Sequence, residues 1–320
     1  MARLGGLAAA LIALGAAAAT AQPYPNRPIR LIVPFQPGGL NDTTARLLQP
    51  HLEKALGQPV IVENRPAASG IVGTDAVAKA QPDGHTLLMV ASSHTVIPAT
   101  NSKLPYDAER DFAPIAMVGK NPLLFIVNAQ VAATTLPQFV ALAKANPEKF
   151  NYATPGAASQ AHLVTELFSR KAGIRMEHVP YRGGAPAILS TVVGDTQFVV
   201  ISPLASLPHI QSGALRALAA GGRTRDPQFP DLPTVAQSGY PDVEAIQWVG
   251  LLTTAGTPKE IVDRLNAEVN RALRDPNMIA TLAAQGVSPA GGTPAEFQQQ
   301  IATEIRNWTA IARAANIKAE

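Results

Sequence analysis

The sequence predicts an α/β protein made of two units, and three observations carry that prediction. Residues 28–90 read β-α-β-α-β, with strands that are unbroken apolar runs, as sheets covered by helices on both faces require. A second cycle of the same kind opens near residue 119. The chain has 320 residues, 47% of them hydrophobic and 15% charged, which is too long for one ordinary core and suits two.

The elements follow in order. Pro28–Pro34 is a short apolar strand that enters the loop Phe35-Gln-Pro-Gly-Gly-Leu-Asn-Asp42. Ala45, Leu48, Leu52 and Leu56 then recur at helical spacing, with Asp42 as the expected N-cap and Gly57 as the stop. Pro50 falls inside this helix and predicts a bend or a bulge. Strands at 59–63 and 86–90 flank a helix of small residues over 71–80. In the second unit the strands are 123–127, 151–154, 176–179, 196–201 and 215–220, and the helices are 135–145, 184–193 and one starting at Ser159. Near the end, Thr257-Pro-Lys-Glu260 and Thr293-Pro-Ala-Glu296 both read as capping boxes with proline at the first helical position. Asp275-Pro276 signals another helix between them, ending at Gly286.

Residues 1–21 read as a secretory signal: Arg3, an apolar run over 4–19, and Ala19-Thr20-Ala21 as the cleavage signal. The alternative, a membrane anchor, needs about 20 apolar residues and a flanking basic cluster, neither of which is present. The mature protein is therefore expected to be exported, soluble and monomeric, and the absence of a cysteine for lipid attachment points to the periplasm. That absence also excludes disulfides, thiol nucleophiles and thiolate metal sites. A net charge of +3 without a basic run argues against nucleic acid. No GxSxG, HExxH, GKS/GKT or GxGxxG pattern occurs, so neither catalysis, a metal nor a nucleotide cofactor is signalled.

What remains is binding. Paired glycines at Gly38 and Gly39 let backbone amides approach a ligand, and the helix that follows adds unpaired N–H groups, a combination that holds a carboxylate or phosphate. A plain βα turn is the alternative. Ser92-Ser93-His94 and Thr154-Pro-Gly-Ala-Ala-Ser159 each follow a strand, the latter ending at a second helix start. Arg182, in Val179-Pro-Tyr-Arg-Gly-Gly184, is either a fork for a carboxylate or a solvated surface arginine.

These residues resemble a known family. Pro28-Ile-Arg-Leu-Ile-Val-Pro-Phe-Gln-Pro-Gly-Gly39 with Asp42 and Ala45-Arg46, Val62-Glu-Asn-Arg-Pro66, Ala80-Gln-Pro-Asp-Gly-His-Thr-Leu88, Asp111-Phe-Ala-Pro114, His178-Val-Pro-Tyr-Arg-Gly183, Leu207-Pro-His-Ile210 and Leu232-Pro-Thr-Val235 are similar, in order and spacing, to the extracytoplasmic receptors of tripartite tricarboxylate transporters, the Bug-type receptors. The resemblance implies a type II periplasmic-binding-protein fold: two α/β lobes joined by crossover strands, closing over a small organic anion, usually a carboxylate, with a separate two-protein membrane component performing transport. It implies lobe 1 over 22–118 plus 223–320 and lobe 2 over 119–222. It also implies ligand contacts from Phe35, Gly38, Gly39 and Asp42, from Ser92 and Ser93, and from Ala153, Thr154, Gly156 and Ser159, with Arg182 and Ser202 as further candidates. Ile201-Ser202 stands where many members carry Asp-Asn before the equivalent of Leu207-Pro-His-Ile210, and Asn41 where Thr or Ser is frequent. Two other readings are open: a binding module that informs a sensory system, and an exported hydrolase or isomerase.

Overall fold

The computed structural model describes residues 24–67, 70–147, 149–226 and 228–318. The signal read at 1–21 lies outside the described residues. Two mixed sheets organise the chain. The first contains β1 (Ile29–Val33), β2 (Val60–Asn64), β3 (Thr86–Ala91), β4 (Phe112–Pro122), β10 (Ile246–Thr254) and β11 (Ser288–Gly291) in the order β11-β4-β10-β3-β1-β2. The second contains β5 (Leu124–Asn128), β6 (Asn151–Thr154), β7 (Glu177–Pro180), β8 (Phe198–Ile201) and β9 (Leu215–Ala220) in the order β7-β6-β8-β5-β9. In the first sheet β2, β1 and β3 run parallel, while β10 is antiparallel to both β3 and β4. In the second, β7, β6 and β8 run parallel and β5 is antiparallel to β8 and β9.

Alternation along each strand sends side chains to opposite faces, and both faces are covered. Ile29, Leu31 and Val33 join one apolar cluster with Leu87 and Met89, while Ile32 joins another with Leu88 and Val90. In the second sheet Phe125 and Val127 point one way and Leu124 and Ile126 the other. Helices α1 (Leu40–Leu56), α2 (Ile71–Ala78), α3 (Ser93–Thr100), α8 (Lys259–Ala272), α9 (Pro276–Ala284) and α10 (Pro294–Ala315) belong to the first unit by sequence position. Helices α4 (Leu136–Ala145), α5 (Gln160–Ala172), α6 (Gly184–Val193) and α7 (Pro203–Gln211) surround the second sheet.

The chain crosses from β4 into β5 at Pro122-Leu123 and returns at Ala245-Ile246. At the crossing the Leu123 amide donates to Ala245 O, Gly221 N to Leu123 O and Ala245 N to Gly221 O. A Cβ on Gly221 would overlap Ala245, so glycine is what lets the strands approach here. Within the stretch that the sequence reading gives to lobe 1, Val235, Val243 and Ala245 are buried in the Phe125 cluster of the second sheet. α10 serves both units. Its Phe297 and Ile301 enter the first core, and its Trp308 and Ala312 enter the second.

Several local expectations are corrected. α1 is capped by Gly39, and Asp42 lies in its first turn rather than at the N-cap. α1 runs on through Pro50 as one helix, with Pro50 on its exposed side. Thr293 makes a true capping box, but Pro258 caps α8 and the Thr257 hydroxyl donates back to Thr254 O. β4, β10, α3, α7 and β11 are absent from the sequence reading; β4 is obscured by Pro114, Gly119 and Pro122, and its ladder with β10 is broken by two register shifts.

Candidate functional site

A helix that follows a strand in a βα unit starts at the strand's carboxyl end. α1, α2 and α3 follow β1, β2 and β3, and α5, α6 and α7 follow β6, β7 and β8. Three helix N-termini therefore gather at one edge of each sheet. Five of these six helices carry no side-chain cap, which leaves first-turn N–H groups free to meet a ligand. The exception is α5, whose Ser159 hydroxyl accepts from the His162 amide.

The two edges face each other. Ser92, just beyond β3, donates from Oγ to Gln160 Oε1 in the first turn of α5 at 2.8 Å, and both residues are buried. Gln160 Nε2 donates in turn to Ile246 O at the return crossing, 2.8 Å away. Gly286, after α9, lies against Leu204 at the start of α7. This is the arrangement in which open α/β sheets bind ligands, at the carboxyl ends of their strands.

On the first edge, Asp42 organises the glycine loop. Gly38 takes a left-handed conformation (φ +81°) and donates its amide to Asp42 Oδ2 at 2.9 Å. Arg46 Nε, at 3.0 Å, and Asn64 Nδ2, at 2.9 Å, donate to Oδ1. Burial pushes the Asp42 carboxyl up, but the bonds from Arg46, Gly38 and Asn64 together with the Arg46 charge outweigh it and hold the group below its usual value. Asp42 thus fixes the loop through a backbone hydrogen bond. Asn64 Nδ2 also reaches Phe35 O at 3.2 Å, so the same network holds both ends of the turn. Phe35 is half-buried, and Gly38 and Gly39 are exposed.

Ser92 is buried and Ser93 is half-buried as the first residue of α3. His94 is a core histidine whose Nε2 bonds Ala108 O at 2.8 Å, and burial lowers its pKa to about 4. On the second edge, Ala153 and Thr154 are buried, while Gly156 and Ser159 are half-buried. The Thr154 carbonyl accepts from Tyr181 N and Pro155 O from Gly183 N, which ties the 154–159 loop to the one before α6. Ser202 is the N-cap of α7, and Arg182 is exposed. The structure therefore brings the Phe35–Asp42, Ser92–Ser93 and Ala153–Ser159 segments to two opposed edges, with Ser202 at the same edge as Ala153. Sequence reasoning missed Gln160, since a bridging glutamine has no local signature. It also missed the starts of α3 and α7, although Ser202-Pro203 carries the N-cap and first-turn proline signal. A separate hollow of about 850 Å³ lies between α10 and the crossing strands, lined by Lys120, Glu244, Glu304 and Trp308; it includes none of these strand ends or glycines.

Comparison with known proteins agrees with this architecture. BugT of Bordetella pertussis is 39% identical over 305 residues, covering 95% of this chain and 94% of that one. An R. palustris protein solved with adipate aligns at 32% identity with a TM-score of 0.75, covering 92% of this chain and 99% of that chain. MatC from Rhodopseudomonas palustris, with bound malate, aligns at 31% identity with a TM-score of 0.72, covering 90% and 99%. A ligand-free TctC solute binding protein from Polaromonas gives 29% identity and a TM-score of 0.82, covering 91% and 99%. The fold is thus that of periplasmic binding proteins of the TctC/Bug type. The profile described as "Tripartite tricarboxylate transporter family receptor" matches residues 44–317, and the chain belongs to that family.

Proposed function

We propose that this receptor binds a small organic carboxylate between its two units in the periplasm and delivers it to a two-protein membrane component. The observation that carries the reading is the opposition of two strand-carboxyl edges, pinned by Ser92 and Gln160, with uncapped helix N-termini on both. Each helix N-terminus favours an anion by about 0.3–1 kcal/mol. The backbone amides of Gly39 to Asn41, Ser93, Ala157 and Gln160 are the expected donors, with Gly38 and Gly156 allowing the close approach, Phe35, Ala153, Thr154, Ser159 and Ser202 shaping the walls and Arg182 at the rim. Asp42 acts through the loop it holds. The adipate and malate carried by the two R. palustris relatives support a dicarboxylate. The reading is of binding without chemistry and without a cofactor. Its lobes are divided at the crossings, 122–123 and 245–246.

Isothermal titration of protein shown by native mass spectrometry to be ligand-free tests the reading. The panel holds malate, adipate, citrate, aromatic acids and acidic amino acids. At least one carboxylate should bind with a Kd of about 1 μM or tighter. Failure of every member would end the proposal.

A further inference from the structure

Directly behind the second-edge loop lies a stack of rings that the binding role has not absorbed. His162, from the first turn of α5, and His178, from β7, stack with ring centroids 3.7 Å apart and planes inclined by 22°. Tyr152 of β6 stacks on His178 at 5.0 Å. The Tyr152 hydroxyl donates to Glu166 Oε1 at 2.7 Å, which makes Glu166, one turn along α5 from His162, the charged group beside the stack.

Both imidazoles bond the loop in front of them. His162 Nδ1 accepts from the backbone amide of Ala158 at 3.2 Å. Ala158 is one of two non-glycine residues with positive φ among the described residues, at +57°, a conformation an alanine keeps only when its surroundings enforce it. His178 Nε2 lies 2.7 Å from Thr154 Oγ1, and that hydroxyl lies 3.0 Å from Gly156 O. The hydroxyl has a single proton. When it goes to Gly156 O, His178 Nε2 is the donor to Thr154. Each end of the 154–158 turn is therefore tied to one histidine.

We propose that His162 and His178 are positioning residues that latch the Thr154–Ser159 loop into its ligand-binding shape, and that protonation of His162 at Nδ1 releases it. An Nδ1 that carries a proton cannot accept from Ala158 N–H; it turns the contact into two opposed donors. A charge on one ring also disfavours a charge on the other, 3.7 Å away, so the pair takes up at most one proton readily. Burial holds both pKa values down to about 4; at His178 the His162 charge lowers it further and Glu166 works the opposite way. The latch is accordingly closed at neutral pH and opens in acid. Its consequence for the ligand rests on the binding proposal above; its consequence for the loop does not.

The test reads both separately in the full mature chain. The His162→Asn variant places an amide oxygen close to where Nδ1 lies and does not titrate. In ligand-free wild-type protein, imidazole ¹⁵N shifts should show His162 neutral with an unprotonated Nδ1 at pH 7.5. The hydrogen-exchange protection factor of Ala158 N–H should fall about tenfold or more as His162 titrates, and should stay level in His162→Asn. A protonated Nδ1 at pH 7.5, or Ala158 protection that ignores the titration, overturns the latch. Malate titrations at pH 7.5 and 3, the latter about one unit below the His162 pKa, then give the ratio of wild-type to variant affinity, in which malate's own protonation cancels. That ratio should fall about tenfold in acid. An unchanged ratio with measurable binding removes the ligand consequence, and absence of malate binding at either pH bears on the ligand reading while the exchange data still decide the latch.

Discussion

Asp42 keeps a nearly buried negative charge at the start of α1 because Arg46, Asn64 and the Gly38 amide all donate to it. Its pKa lies below the ordinary value of 3.8, so the folded state binds fewer protons than the unfolded chain. The stability it contributes is complete above that value and is lost as pH falls through the depressed one. Asp42→Asn should cost about 1–3 kcal/mol in urea unfolding at pH 7, because the Arg46 charge and one Gly38 bond lose their partner. The difference from wild type should shrink in acid. At this scale the sequence was partly legible. The paired glycines and the aspartate four residues on marked the loop, and the structure adds that Asp42 accepts from the Gly38 amide within it. The position of Asp42 inside the helix did not show, because Gly39 caps the helix with its backbone alone.

Elements were legible where punctuation and apolar runs coincide. β6, α6 and β9 fall at the predicted residues because glycine, proline or asparagine bounds each one. β4 and β10 were not, since prolines and register shifts break their pattern, and their strand character comes from pairing with each other over Ile246–Thr254 and Phe112–Pro122. The two Thr-Pro-x-Glu stretches make the same point. One sequence signature gives a capping box at Thr293 and none at Thr257, where burial beside Thr253 and Thr254 redirects the hydroxyl. Thr293→Ser should therefore leave thermal stability near wild type and Thr293→Ala should lower it by about 1 kcal/mol. Thr257→Ser and Thr257→Ala should not show that cap-specific contrast in amide exchange at the first turn of α8.

Across the whole molecule, the Ser92–Gln160 hydrogen bond joins the two edges directly. Ser92→Ala leaves Gln160 Oε1 buried without its donor, at a cost of about 1–3 kcal/mol. Ligand-free Ser92→Ala should show a larger radius of gyration than wild type in small-angle scattering, and carboxylate affinity should fall about tenfold. An unchanged radius would mean that Ser92 and Gln160 do not govern the spacing of the lobes.

The helix α10, meanwhile, makes the two cores depend on one another. Trp308 and Ala312 of α10 lie in the second core and Phe297 and Ile301 in the first, so each half is built on the same helix. A substitution such as Phe297→Ala at one end of this shared rod should therefore loosen the partner layer at the other end as well, and the two layers should melt as one.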